Sequence, residues 1–263
     1  MNLRIPLKIF TISDLHLEFY TSAPQLFDKL LPRLPEADVC VLAGDIGYPI
    51  DRKGFNTKGV ITHAQNYKNL LKLFKSKYEH TILVGGNHEY YVSSLGNRQV
   101  PFQALRSICD ESGVHLLEKQ KVKIRDVTFL GTTLWSCIDE RTSKSMNDFT
   151  DAFGHQLDYV EEFVDSYRWL RNELNGTTEQ TVVVTHHLPT KRLISDIYLD
   201  SPLNSAFYTN ILDRLVMKNV KLWCCGHSHM PKQIKYGEAQ IVLNPVGYPG
   251  EDKPDWNELV FLV

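Results

Sequence analysis

The sequence predicts an α/β domain. Short apolar runs with the length of buried strands alternate along the chain with longer stretches that have apolar residues at helical spacing, and this alternation is typical of α/β folds. The 263 residues are 43% hydrophobic and 23% charged, the mixture of an ordinary globular protein. Because no repeat, low-complexity segment or change in composition marks a linker, we expect a single domain over residues 1–263.

Five apolar runs are predicted strands, because each is short and is followed by a block that contains glycine or proline. They cover residues 8–13, 38–43, 80–84, 181–185 and 220–225. Further strand candidates lie at residues 127–132, 239–244 and 258–263. Their close spacing near the C-terminus predicts a second sheet that is partly antiparallel.

Four stripes of apolar residues at intervals of three or four predict helices between the strands. The longest stripe runs from Leu157 to Leu174, and shorter ones cover residues 26–34, 67–74 and 211–216. Residues 47–59 and 135–154 lack such a pattern. Structureless connections longer than ~12 residues are uncommon, so we expect these two loops either to serve a site or to be mobile.

Charge and cysteine content exclude several functional classes. The formal net charge is −2, which argues against a nucleic-acid partner or an anionic membrane surface. The five cysteines are odd in number and include the adjacent pair Cys224 and Cys225, so we expect free thiols in a reducing compartment. No secretory signal is recognisable, and no window approaches the ~20 apolar residues of a membrane span. We therefore expect a cytoplasmic protein.

Aspartate, asparagine and histidine collect directly after the five predicted strands, and six of the ten histidines lie there. The carboxyl ends of strands are where α/β sheets bind ligands, and residues two apart at a strand end can point the same way. Carboxylate, amide and imidazole donors without a convincing thiolate suit Mn, Fe, Zn, Co or Ni. The candidate residues are Asp14, His16, Asp45, Asn87, His88, His186, His187, His227 and His229.

Each candidate also has an ordinary structural explanation when it is taken alone. Asp14 and Asp45 could cap a helix or a turn, and Asn87, which follows two glycines, could serve a tight turn. A lone histidine is usually a structural hydrogen-bonding residue, and we keep that interpretation for the four histidines outside these blocks. For the candidates, the structural explanation would require several coincidences in sequence, so we favour a metal site.

The five blocks together resemble the calcineurin-like metallophosphoesterase superfamily, over residues 8 to about 230. In order they are Asp14-Leu15-His16, Gly44-Asp45, Gly86-Asn87-His88-Glu89, His186 and Gly226-His227-Ser228-His229. The resemblance implies a four-layer αββα sandwich of two mixed β-sheets flanked by helices. It also implies two divalent metal ions, the first held by Asp14, His16, Asp45 and His229 and the second by Asp45, Asn87, His186 and His227.

The implied activity is hydrolysis of a small phosphoester, either a monoester or a diester. Two cations ~3.5–4 Å apart can bridge a hydroxide, aim it at phosphorus and neutralise charge on the phosphoryl oxygens. His88, beside the metals, would protonate the leaving oxygen or donate a hydrogen bond to it. The alternatives are a non-catalytic scaffold, which need not have kept every ligand position, and a nuclease, which the net charge disfavours.

Two assignments stay open at this point. Related sequences often have Thr-His-Gly-Pro-Pro or Thr-His-His-Pro-Pro, which favours His186 as the ligand, whereas His-x-Pro would fit His187. Lys191 and Arg192 could contact a phosphate, or they could lie on the solvated start of a helix.

One difference from a family motif restricts which branch of the superfamily this sequence resembles. Serine/threonine phosphatases of this superfamily have Gly-Asp-x-x-Asp-Arg-Gly, and Tyr48 occupies the position of the second aspartate, which partners the catalytic histidine there. The difference argues against that branch and favours a compact bacterial-type phosphohydrolase or phosphodiesterase. It leaves Asp51 as a candidate for orienting His88.

Overall fold

The computed structural model describes residues 5–20, 22–51, 62–91 and 98–263. The strands are β1 (Lys8–Ile12), β2 (Val39–Leu42), β3 (His80–Leu83), β4 (His115–Leu116), β5 (Gln120–Ile124), β6 (Val127–Thr132), β7 (Gln180–Thr185), β8 (Val220–Cys225), β9 (Lys232–Tyr236), β10 (Ala239–Leu243) and β11 (Val260–Leu262). The α-helices are α1 (Ala23–Leu30), α2 (His63–Lys77), α3 (Gln99–Ser112), α4 (Glu140–Ser143), α5 (Asp148–Asp151) and α6 (Gln156–Gly176).

The strands form two mixed sheets. The first has the order β11-β1-β2-β3-β4, in which β11 is antiparallel to β1 and the other neighbours are parallel. The second has the order β5-β6-β7-β8-β10-β9, with a parallel centre and an antiparallel pair at each edge. The two sheets are flanked by helices, which confirms the predicted four-layer sandwich.

Side-chain alternation along the strands explains the layers, because successive residues of a strand face opposite sides of its sheet. In β1, Ile9 lies in an apolar cluster between the sheets, whereas Phe10 packs with the residues of α1, α2 and α3. In β7, Val182 lies in the same central cluster, whereas Val183 packs with α6. Three buried apolar layers therefore hold the two sheets and their helices together.

Local sequence signals set the helix ends. The side chain of Ser22 accepts a hydrogen bond from the backbone N–H of Gln25 at the start of α1, and Thr62 does the same for Gln65 at the start of α2. Such caps satisfy backbone donors that have no partner within the helix. Helix α3 ends at Gly113, whose φ of 68° is left-handed and favours glycine.

Several predicted elements differ from the structure. Residues 211–216 form a single 3-10 turn, Leu212–Arg214, instead of a longer helix. The predicted loop at 135–154 contains α4 and α5, and the predicted strand at 258–263, as β11, joins the first sheet. The part of the predicted loop 47–59 beyond residue 51 lies outside the described residues. None of the described helices has both the length and the apolar character needed to cross a membrane.

Candidate metal centre

The chain turns sharply where the strands that carry candidate residues end. Four of these residues have a left-handed backbone conformation, which is uncommon for residues other than glycine and which concentrates at functional sites. They are Asp14, His16, Asp45 and His227, with φ of 53°, 48°, 53° and 72°. The fold therefore accepts local backbone strain at the positions that aim these side chains.

Two motif glycines allow the strand-end loops to approach one another. A Cβ atom on Gly86 would lie 2.2 Å from Oδ1 of Asp45, and one on Gly44, whose φ is +89°, would lie 2.4 Å from Nδ1 of His186. Both distances are far inside van der Waals contact. These positions require glycine because the backbone itself forms the wall behind the candidate ligands.

The first cluster consists of Asp14, His16 and His229. The Nδ1 of His16 lies 3.1 Å from Oε1 of Glu18, and the Nδ1 of His229 lies 2.9 Å from both oxygens of Glu251. If each Nδ1–H donates to its carboxylate, the Nε2 atoms carry lone pairs, and they face each other at 3.0 Å. Two such lone pairs repel unless a proton or a metal ion lies between them, so the geometry favours a cation here.

The second cluster consists of Asp45, His186 and His227, together with Asn87. The Nδ1 of His186 lies 2.9 Å from the carbonyl oxygen of Ala43, and its Nε2 lies 3.0 Å from Oδ1 of Asn87 and 3.4 Å from Oδ2 of Asp45. Within the described part of the chain, the buried Nε2 of His227 has no hydrogen-bond partner. The carboxylate of Asp45, the amide oxygen of Asn87 and the Nε2 atoms of His186 and His227 are the kinds of ligand atom that a transition-metal site uses.

Asp45 lies between the two clusters. Its Oδ2 is 3.4 Å from Nε2 of His186 and 4.0 Å from Nε2 of His16, and its Oδ1 accepts a hydrogen bond of 2.9 Å from the backbone N–H of His88. Burial alone would raise the pKa of Asp45, but His186 and His88 outweigh it and hold the pKa well below its usual range. An ionised carboxylate in this position could bridge two cations.

The buried histidines of the centre differ in charge, because Asp45 outweighs burial only at His186 among His186, His187 and His227. Burial opposes the charged form of His186, but Asp45 outweighs it and raises the pKa of His186 to about 9. Burial lowers the pKa of His227 and His187 well below the usual value, so both rings are neutral. Because a metal ligand must be a neutral imidazole, a cation at the second cluster would replace the proton on His186.

A hydrogen-bonded chain fixes the orientation of the Asn87 amide. The Nδ2 of Asn87 donates to the hydroxyl of Tyr91 at 2.7 Å, and that hydroxyl donates to Oδ2 of Asp148 at 3.0 Å. With its nitrogen engaged in this way, the amide turns its oxygen towards His186. Tyr91 and Asp148 therefore hold the Asn87 amide so that its oxygen, and not its nitrogen, faces the second cluster.

His88 lies beside the clusters and lines the adjoining cavity. Its Nδ1 is 2.8 Å from Oε1 of Glu18, and its Nε2 is 3.3 Å from the hydroxyl of Tyr248. Burial lowers the pKa of His88, but Asp45 and Glu18 outweigh it and raise the pKa to about 9. Burial would raise the pKa of Glu18, but hydrogen bonds from His16 and His88 lower it to about 2. The pair is therefore an ionised carboxylate and a protonated imidazole.

Glu89 organises the loops instead of facing the clusters. It is buried, and its carboxylate accepts hydrogen bonds from the backbone N–H groups of Asp45, Ile46 and Gly86 at 2.6–2.9 Å. These contacts tie the loop after β2 to the loop after β3. Burial raises the pKa of Glu89 to about 7.

The structure brings all seven predicted ligands and His88 to one edge of the sandwich. It places His186 inside the second cluster, whereas the Nε2 of His187 lies 3.1 Å from the hydroxyl of Tyr159. Asp51 does not orient His88, because Asp51 accepts a hydrogen bond from the backbone N–H of Ala64. The position beside His88 belongs to Glu18, as described above.

Sequence reasoning missed four residues around the clusters. Glu18 carries a signal, because it continues the every-second-residue spacing of Asp14 and His16. The other three come from distant segments and have no local signal. They are Tyr248, Glu251 and Asp148.

The fold and the site together define a class: an α/β sandwich with two clusters of imidazole and carboxylate donors at its strand ends has the architecture of a metallohydrolase. The model of the calcineurin-like phosphoesterase family matches residues 7–231. The chain therefore belongs to the calcineurin-like phosphoesterase family, whose members are in general dinuclear metal-dependent phosphoester hydrolases.

Two further comparisons report proteins to which this chain is similar. The chain is 28% identical over 280 residues to the uncharacterized protein L509 of Acanthamoeba polyphaga mimivirus, with 91% of each chain covered. The crystal structure of phosphopantetheinyl hydrolase (PptH) from Mycobacterium tuberculosis superposes with a TM-score of 0.67 at 18% identity, covering 99% of this chain and 97% of that one. The similarity to this crystal structure concerns the fold alone.

Proposed function

We propose that this protein hydrolyses a small organic phosphoester and needs two divalent cations to do so. The observation that carries the proposal is the pair of clusters on either side of Asp45, in which imidazole, amide and carboxylate atoms converge and, among the described residues, the buried Nε2 of His227 has no hydrogen-bond partner. Such mixed nitrogen and oxygen sites suit Mn, Fe, Zn, Co or Ni.

The ligand sets follow the two clusters. Asp14, His16 and His229 would hold the first ion, Asn87, His186 and His227 the second, and Asp45 both. When bound, a pair of divalent ions lowers the pKa of water to supply the nucleophile and neutralises charge on the phosphoryl oxygens. Glu18 and Glu251 keep the rings of His16 and His229 oriented by accepting their Nδ1–H groups.

His88 would serve the leaving oxygen. Its Nδ1–H donates to Glu18, which leaves the protonated Nε2 directed at the hydroxyl of Tyr248 at the cavity. From there Nε2 can donate a hydrogen bond, and then its proton, to the alkoxide or phenolate that departs. After the proton has left, the negative charge of Glu18 favours reprotonation of the His88 imidazole.

The test uses a chromogenic diester. Protein stripped with a chelator and then supplied with Mn should hydrolyse bis(p-nitrophenyl) phosphate, and the chelated protein should not. Asp45→Asn should lose the metal-dependent rate, and the matched variant Asp51→Asn should keep it, because Asp51 accepts a hydrogen bond from the backbone N–H of Ala64 at the start of α2. Hydrolysis that survives chelation would contradict the proposal, as would two bound metals without hydrolysis of any phosphoester, the behaviour of a scaffold.

A further inference from the structure

The cavity at the clusters is much larger than a phosphate group requires. Its volume is about 640 Å³, and His88, Asn87 and Asp45 lie in its lining. Cavities of ~300–1,000 Å³ are typical of sites that enclose whole organic ligands. The size therefore indicates a substrate with sizeable groups around phosphorus.

An apolar wall extends from the second cluster into the cavity. Its nearest member is Phe207, whose ring centroid lies 4.7 Å from that of His227. Met146, Ile194 and Phe207 pack together on one apolar cluster of the fold, so their positions are fixed by the core behind them. The wall comprises Met146, Ile194, Tyr198, Leu203 and Phe207.

A second apolar surface lies beside His88. The rings of Phe19 and Tyr248 pack edge to face with centroids 5.2 Å apart, and Tyr248 also contacts His88. The side chain of Phe19 is 56% exposed, although both rings line the cavity. The cavity thus offers one apolar surface next to the proposed acid and another next to His227.

Apart from His88 and the members of the two clusters, the charged side chains in the described part of the lining are anionic. Among the described residues that line the cavity, none is lysine or arginine, while Asp151 and Glu251 are acids. Lys191 and Arg192, which the sequence offered as phosphate contacts, do not line it, and Arg192 donates to the backbone carbonyl of Lys235. The described lining therefore has no side chain of fixed positive charge to meet a second negative charge on a substrate.

From these observations, and resting on the proposed function, we infer that the substrate is a phosphodiester that carries one negative charge and a bulky apolar or aromatic substituent. The leaving group departs beside His88, Phe19 and Tyr248, and the substituent that stays on phosphorus packs on Phe207. A monoester carries ~1.5–2 negative charges at pH 7 and has a single organic group, so it leaves one apolar surface unused.

The test compares three esters with the same p-nitrophenol leaving group on the Mn-loaded protein. Phenyl p-nitrophenyl phosphate should have the highest kcat/KM, ~10-fold or more above methyl p-nitrophenyl phosphate, the usual worth of a buried apolar group. The monoester p-nitrophenyl phosphate should be slower than the phenyl diester. A monoester preference, or equal rates for the phenyl and methyl diesters, would overturn the inference while leaving the proposed function intact.

Substitutions in the apolar wall test whether it causes the preference for the phenyl diester. Phe207→Ala and Tyr198→Ala should each lower the ratio of phenyl to methyl diester by several-fold. The matched control is Ile197→Ala, because Ile197 is 71% exposed and lies outside the cavity. An unchanged ratio in both wall variants would contradict the assignment of the wall. No hydrolysis of any of the three esters with both metals bound would overturn the proposed function and this inference with it.

Discussion

Removal of one hydroxyl, in Tyr91→Phe, should weaken the binding of one metal ion and leave the other unchanged. The hydroxyl accepts from Nδ2 of Asn87 at 2.7 Å and donates to Asp148 at 3.0 Å. The ring remains, so its packing against His88, with centroids 4.6 Å apart, is kept. What is lost is the hydrogen bond that holds the Asn87 oxygen towards the second cluster.

The expected size of the effect follows from these two hydrogen bonds. Each contributes ~0.5–1.5 kcal/mol net, so the free energy of unfolding should fall by ~1–3 kcal/mol. Loss of a group that orients a ligand typically lowers metal affinity ~10–100-fold. Because the remaining ligands of the second cluster are untouched, we expect the lower part of that range.

Calorimetric titration of metal-free protein with Mn measures both sites. Wild-type protein should bind two ions, and Tyr91→Phe should show one affinity unchanged and one lowered ~10-fold. Tyr78→Phe is the matched control, because the hydroxyl of Tyr78 donates to the carbonyl of Pro35, away from the clusters. Unchanged affinity at both sites of Tyr91→Phe, or equal weakening of both, would refute the assigned role of the hydrogen-bonded chain.

Three further predictions concern single residues. His88→Ala should keep both metals and lose ~10²–10⁴-fold in rate, and a parallel loss of metal by elemental analysis would make His88 a ligand instead. His186→Ala should lower the occupancy of one metal, and His187→Ala should not, because His187 is bonded to Tyr159; the opposite metal contents would reverse the assignment. Asp148→Asn should change the pH dependence of stability. Burial raises the pKa of Asp148 to about 6 from an ordinary 3.8, so its contribution is greatest below pH 4 and is lost as the pH rises through 6. Unfolding curves should therefore show the variant gaining on wild type across that window, and parallel curves would disprove the shift.

The central strands were predictable because they are buried on both faces. Strand β2 is entirely apolar and β7 has three consecutive valines at residues 182–184, and buried parallel strands give continuous hydrophobic runs. The edge strands β5 and β9 were missed because lysine and glutamine alternate with their apolar residues and leave them half exposed. Strand β4, with two residues, is too short to give a pattern.

Long-range pairing explains the other differences in the fold. Residues 258–263 were correctly predicted as a strand, but only the register of Lys8 with Leu262 shows that β11 joins the first sheet. In residues 211–216 the apolar spacing predicted a helix, yet Val216 is 49% exposed. The spacing of apolar residues along the sequence does not show which of these side chains are buried in the core.

The motif residues of the candidate site could be predicted from the sequence, whereas the residues that surround and orient them could not. The motif residues follow buried strands, whose parallel order brings their carboxyl ends to one edge. The residues that orient them depend on contacts across the fold: Glu251 reaches His229 across 22 residues, and Glu18 reaches His88 across 70. Glu18 takes the position beside His88, and Asp51, which the sequence suggested for that position, bonds to Ala64 instead.

The dinuclear centre is tested most directly by a crystal structure of the Mn-loaded protein with an anomalous difference map at the manganese edge. We expect two peaks ~4 Å apart, both within bonding distance of Asp45, with the first beside His16 and His229 and the second beside His186 and His227. A single peak, or two peaks of which one lies beyond bonding distance of Asp45, would contradict the dinuclear centre.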